Sequence, residues 1–232
     1  LNTIAAEAFK EACDRLEKAD DFEMAVHDLI KEYAIDHQRI VFNGNGYAPE
    51  WAEEAKRRGL PNLPSMVDAI PALTTDKAVK LFEEFHVFTK TELESRAEIQ
   101  YEIYAKAVNI EAKTMIDLAT KQIIPAVVRY TTVLADSVNT VRAVGDIDVS
   151  VQLELLKKCS ALLKTTNSAM KNLSDVVAKV SEIPEGRERA VYCKDIVCKA
   201  MTELRTPVDE LEMLVDKSMW PMPSYGDLIF EV

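Results

Sequence analysis

A chain of 232 residues can bury one sizeable core or two modest ones, since domains commonly hold about 100–200 residues. Its 28 Lys+Arg against 39 Asp+Glu give a formal charge of -11, a mean field that repels phosphate backbones and anionic lipid, so no nucleic acid and no membrane is expected as partner. No stretch approaches the roughly 18 consecutive apolar residues that span a bilayer, and six glycines with nine prolines disfavour a turn-rich β protein or a long disordered linker. Cys13, Cys159, Cys193 and Cys198 form neither CxxC pairs nor a disulfide-dense pattern, which suits reduced thiols and a cytoplasmic location. The start at Leu1, with no signal-like segment behind it, reads as a cut in a longer chain.

Apolar residues at helical spacing (Ile4, Ala8, Phe9, Ala12, Leu16) predict a helix from Asn2 to about Ala19. A second runs from Phe22 to Ile35, capped by Asp20 or Asp21. Arg39-Ile40-Val41-Phe42 then predicts a short extended piece entering a tight turn at Asn43-Gly44-Asn45-Gly46-Tyr47, where two Asn-Gly steps tolerate positive φ. Pro49 and Gly59 frame a helix over Glu50 to Arg58, and Pro61-Asn62-Leu63-Pro64 is a stiff loop. Ser65 caps a short helix that Pro71 interrupts, and Thr74 or Thr75 caps another through Phe85.

After Phe88 the character changes. Thr89 and Glu92 make a capping box, and the seam Leu93, Ala97, Tyr101, Tyr104, Val108, Ala112, Met115, Ala119, Ile123 predicts one very long helix, kinked at Pro125 and continuing to about Val144. Beyond Gly145-Asp146, Leu155, Cys159, Leu162, Thr166, Ala169, Leu173, Val176 and Val180 form a heptad seam. A second row (Leu156, Leu163, Met170, Val177) widens it toward a bundle with more than one neighbour. Pro184-Glu185-Gly186 turns the chain into a last helix through Val215 despite Pro207, and short connections make neighbours antiparallel. The tail from Trp220 to Phe230 is rich in proline and large apolar groups, so it is expected to dock.

Spacing alone yields no catalytic residue and no metal site. Glu83-Glu84-Phe85-His86 holds a single Glu-x-x-His step, too few ligands for a metal, and reads as an exposed helix end. His27 and His37 lack an activating partner motif. Gly44-Asn45-Gly46 lacks the lysine and hydroxyl of a Walker loop and the third glycine of a dinucleotide fingerprint. It is either a plain turn or a binding loop, formed by Asn43, Gly44, Asn45, Gly46 and Tyr47, that touches a ligand or a neighbouring domain. Asp209, Glu210, Glu212 and Asp216 make a solvated face, and Tyr101 and Tyr104 belong to packing.

Several stretches resemble the C-terminal portion of type III glutamine synthetases: Leu1-Asn2-Thr3-Ile4, Arg39 through Tyr47, Val67-Asp68-Ala69-Ile70-Pro71-Ala72-Leu73, Asn109-Ile110-Glu111-Ala112, and the Trp220 to Phe230 tail. Lys113 and Met222 stand where that family leads us to expect an apolar and an aromatic residue. The resemblance implies a full-length homo-oligomeric ligase that uses ATP and magnesium or manganese to join ammonia to glutamate. It also implies that the metal and substrate residues lie upstream of Leu1, so this segment carries no cofactor and is inactive alone, with the upstream catalytic domain of the same chain as its partner.

The resulting expectation is an all-α chain, short helices followed by an antiparallel bundle of long helices with one kinked at Pro125. Residues 1–88 would end the catalytic domain, 89–218 would form the long-helix bundle and 219–232 a docking tail. A self-contained helical protein–protein interaction module is the competing reading.

Overall fold

A computed structural model describes residues 1–230, and among them every regular element is helical. The α-helices are α1 (Asn2–Leu16), α2 (Phe22–Asp36), α3 (Pro49–Arg57), α4 (Met66–Ala69), α5 (Asp76–Glu84), α6 (Lys90–Leu118), α7 (Ile124–Val144), α8 (Ser150–Ala178), α9 (Arg187–Tyr192), α10 (Cys198–Glu212) and α11 (Tyr225–Phe230). The chain divides into two units, Leu1–Gln100 and Tyr101–Val232.

In the first unit the short polar residues before each helix satisfy first-turn amides that have no intrahelical partner. Asp21 accepts from the Met24 N–H at 3.1 Å, the Ser65 hydroxyl from Asp68 N–H at 3.2 Å, and the Thr75 hydroxyl from Ala78 N–H at 3.3 Å. Thr89 and Glu92 close a reciprocal capping box, with Thr89 N–H donating to the Glu92 carboxylate at 2.8 Å and Glu92 N–H to the Thr89 hydroxyl at 3.3 Å. Just past α3 and its cap Arg58 stands Gly59 at φ 71, a left-handed position that glycine occupies without a Cβ penalty. His86 takes the same role after α5 at φ 53, and it is solvent-exposed. Glu83 is occupied by the N–H of Lys90 at 3.1 Å, so the Glu83 to His86 step serves as helix punctuation.

The apolar core of this unit is thin: Leu29, Ala55, Val67, Ile70, Leu81, Leu93 and Ala97 are buried. Helix α1 buries no residue at all, although Ile4, Ala8, Ala12 and Leu16 line one stripe of it. A two-pronged Arg15–Glu32 bridge of 3.0 and 2.6 Å ties α1 to α2.

The extended piece expected at Arg39–Phe42 is not a strand. Gln38–Ile40 form one 3₁₀ turn, and Val41 after it is extended, with φ -83 and ψ 114. The carbonyls of Arg39 and Val41 are taken up by the Arg58 guanidinium rather than by a neighbouring strand. Neither Gly44 nor Gly46 adopts a positive φ. At Gly44 the missing side chain makes room instead: a Cβ there would stand 2.6 Å from the tip of the Phe42 ring.

The second unit is an antiparallel three-layer bundle. One cluster joins Ala105, Val108, Ala112 and Ala119 to Leu173, Val177 and Val180 and to Cys193, Val197 and Leu204. A second joins Ile123 and Val127 to Cys159 and to Leu211 and Val215. As the numbering climbs through α6 and α7 it falls along α8 and climbs again through α9 and α10, which fixes α8 antiparallel to both. The double apolar row of α8 therefore has two neighbours within the chain, α7 and α10.

The break near Pro125 is a π turn over Ala119–Ile123, where the Ile124 N–H bonds back to the Ala119 carbonyl. Proline lacks the N–H that α6 would need to continue, and the widened turn accommodates its ring. A second π turn, Cys193–Val197, joins α9 to α10, again with the Cys198 N–H reaching back five residues to Cys193. Pro207 lies buried inside α10 without such a widening.

After α10 the tail first packs and then emerges. Met219 and Trp220 lie against the Ile123–Val127–Leu211 cluster. The short helix α11, which the proline-rich sequence did not announce, is capped by Ser224 and Asp227 at 2.7 and 3.3 Å. It exposes Leu228, Ile229 and Phe230. The last two residues of the 219–232 tail, Glu231 and Val232, lie outside the described residues.

Candidate functional site

The Asn43–Tyr47 loop is held from both sides by side chains that spacing did not single out. On α3, Trp51 packs against Phe42 with ring centroids 4.4 Å apart and planes tilted by 31°, within the range of favourable aromatic pairs. The Arg58 guanidinium lies 5.8 Å from each of those ring centroids and donates to Val41 O at 2.7 Å and Arg39 O at 3.3 Å. Glu54, one turn before Arg58, accepts from Arg58 at 2.5 Å and from Arg57 at 2.6 and 2.5 Å. These hydrogen bonds pull its carboxyl down from 4.5 to about 2. An aromatic two residues after the Pro49 start and the i, i+4 pair Glu54–Arg58 were the sequence signals that could have found this clamp.

Within the loop, Asn45 Oδ1 accepts from the Tyr47 N–H at 3.0 Å and Asn45 O from Ala48 N–H at 3.1 Å, a side-chain-supported turn that leads into α3. All five residues Asn43, Gly44, Asn45, Gly46 and Tyr47 are exposed, and the Tyr47 ring is 100% so. Gly46 and Tyr47 line an open cleft of about 520 Å³ with Trp51, Leu60, Pro61 and Asn62, whereas Asn43, Gly44 and Asn45 stand outside it. The arrangement offers an aromatic ring, backbone amides and two carboxamides on a rigid base. That is equipment for contact.

Among the described residues no group of three or more His, Cys, Asp or Glu side chains is placed to hold a metal ion. The loop has no lysine, no serine or threonine hydroxyl and no left-handed glycine of the kind that builds a phosphate cradle. His27 is exposed beside Asp28 at 3.6 Å, and His37 lies against Tyr33 with centroids 5.8 Å apart. Tyr101 is buried in the bundle, and the Tyr104 hydroxyl meets the Cys198 thiol at 3.8 Å, so both act in packing.

No helix among the described residues is long and apolar enough to cross a membrane. A family model described as the glutamine synthetase C-terminal domain matches residues 25–142, a span that includes the clamp, the loop and α6. The chain is similar to the type-3 glutamine synthetase of Dictyostelium discoideum, 33% identical across 99% of this chain and 32% of that protein. It is likewise similar to the glutamine synthetases of Butyrivibrio fibrisolvens, 34% identical over 92% of this chain and 31% of that protein, and of Bacteroides fragilis strain YCH46, 28% identical over 96% and 31%. The chain thus spans about a third of the length of the curated relatives it matches. With half its length matched by the family model and relatives about a third identical along nearly its whole length, this chain belongs to the glutamine synthetase C-terminal domain family.

Proposed function

We propose that this chain is the structural and assembly segment at the C-terminal end of a glutamine synthetase, and that it does not turn over substrate alone. In the whole enzyme, ATP and a divalent metal, magnesium or manganese, serve the joining of ammonia to glutamate on residues in the other two thirds of the polypeptide. The observation that carries the reading is α1. Fifteen residues long, it buries none of its side chains, leaving Ile4 and Phe9 59% and 73% exposed. Large apolar side chains left exposed on a helix without a buried face suit a docking role. The catalytic part of the same polypeptide is the partner this role requires, and the Asn43–Tyr47 loop on its Phe42–Trp51–Arg58 base is a second point of contact with it. A homo-oligomer in the cytoplasm completes the reading, and four free thiols suit that compartment.

Replacing Ile4 and Phe9 together by glutamate in a full-length enzyme carrying this chain tests the role. Sedimentation is expected to show loss of the assembled species while the bundle keeps its helicity; an unchanged assembly with unchanged turnover would contradict it.

A further inference from the structure

At the end of the bundle where α8 turns into α9, a cavity of about 320 Å³ opens between α6 and the Glu185-Gly186 turn. It is within the size range of small-molecule sites. Its floor is apolar, made by the buried Ala105, Val177 and Val180. Glu102, Lys106, Asn109 and Lys113 line one wall, spaced four, three and four residues apart so that they share one face of α6. The facing wall presents Glu185 and Arg189. Gly186, at φ 81, turns the chain there without a side chain.

The charges on these walls are unequally matched. Lys106 pairs with Glu102 at 2.5 Å and Arg189 with Glu185 at 3.1 Å. Two of the Arg189 nitrogens are further held by the Ile183 carbonyl at 3.0 and 2.7 Å, which fixes the guanidinium. Lys113 has no ion pair among the described residues and is exposed at the cavity mouth. One turn deeper, Asn109 Oδ1 is buried and accepts no hydrogen bond from any described residue. A buried acceptor left without a donor costs free energy that a surface residue would not incur. An uncompensated ammonium and an orphaned acceptor, one helical turn apart over an apolar floor, call for a ligand carrying an anion and a hydrogen-bond donor side by side.

We propose that this cavity binds a small carboxylate with a donor on the adjacent carbon, an α-amino or α-hydroxy acid. Its carboxylate meets Lys113, its α-ammonium or α-hydroxyl donates to Asn109 Oδ1, and its side chain lies on Ala105, Val177 and Val180. The site is independent of the clamp and loop in the first unit and of any role in assembly.

The three-carbon series propionate, L-lactate and L-alanine isolates the donor, because its members differ only in the α-substituent; inorganic phosphate probes the charge alone. Titrating each into the isotopically labelled 232-residue chain, with the Asn109 side-chain amide followed by NMR, is expected to show saturable shifts for L-lactate or L-alanine. Propionate should bind about tenfold more weakly, one lost hydrogen bond's worth. Saturation by alanine alone identifies an amino acid, and by lactate alone a hydroxy acid. Lys113→Gln, an exposed substitution that leaves the fold intact, should abolish saturation without changing the melting temperature. Equal binding of propionate and phosphate with the α-substituted acids, saturation unaffected by Lys113→Gln, or no saturation with any of the four would each overturn the proposal.

Discussion

The Arg58 guanidinium donates to the Val41 carbonyl oxygen at 2.7 Å, so the residue that caps α3 fixes the segment that leads into the Asn43–Tyr47 loop. A planar guanidinium can do this while also facing the Phe42 and Trp51 rings; a lysine ammonium cannot. Arg58→Lys should therefore loosen the loop almost as much as Arg58→Ala. The loss is expected to be about 1–3 kcal/mol for charge-assisted hydrogen bonds, and a red shift of fluorescence in a variant that keeps Trp51 and replaces Trp220 by Phe is the readout. Full retention of the native spectrum in Arg58→Lys would contradict the clamp.

The Phe42 ring occupies the space a side chain at position 44 would need, 2.6 Å from an ideal Cβ. Because the obstructing atoms belong to the far end of a movable side chain, Gly44→Ala should displace the ring from Trp51 rather than unfold the chain. Near-ultraviolet circular dichroism is expected to lose aromatic signal while the far-ultraviolet spectrum stays the same. A global loss of helicity would refute this.

Acid should release the clamp before it unfolds the bundle. The Glu54 carboxyl is held at about 2 against an ordinary 4.5 by its bonds to Arg57 and Arg58. A lowered folded-state value stabilises at pH above the unfolded value and loses that contribution as pH falls through the folded one. The window is pH 4.5 down to about 2. Trp51 fluorescence should change across it, and Glu54→Gln should show the released signal at pH 7 with no further change in that window.

Truncating the bundle's centre should be costly. Leu173 is 0% and Leu204 1% exposed in the cluster that joins α6, α8 and α10. Either leucine to alanine is expected to lose about 2–5 kcal/mol, the transfer term plus a residual cavity, measured by urea denaturation. A loss below about 1 kcal/mol would mean that the three helices do not share one core.

Thiol chemistry should follow burial. Cys159 and Cys193 are both fully buried, and desolvation raises their thiols above the ordinary value of 9.0. Cys13 is exposed on α1. A thiolate-selective reagent at pH 8 should label Cys13 first and leave Cys159 and Cys193 unmodified in the native protein, as peptide mapping would reveal.

The bundle was legible because its signals are periodic and local. Cys159, Thr166 and Leu173 recur at heptad spacing and are all buried, and the second row from Leu156 to Val177 implies more than one neighbour, which α7 and α10 supply. Thr89–Glu92, Ser65 and Pro49 announced helix starts through chemistry that acts within one turn. Arg39 and Ile40 turn in a 3₁₀ helix where the sequence suggests an extended piece, which Val41 alone is shown to adopt; the segment's carbonyls are satisfied by Arg58, 17 and 19 positions away, which no local pattern reports. Gly44 looked like a left-handed turn residue, whereas its reason for being glycine is a ring two residues before it. The cavity over Asn109 was invisible for the same reason, since its second wall comes from Glu185 and Arg189. Sequence periodicity reports which face a residue shares, and long-range partners come only with the fold.

The central claim is that this chain supports a glutamine synthetase without carrying its chemistry. Its most direct test is ATP-dependent formation of glutamine from glutamate and ammonia by the purified 232-residue chain, with magnesium and then manganese supplied. No product above the uncatalysed background is expected with either metal, and steady turnover that follows the concentration of this chain would contradict the proposed role.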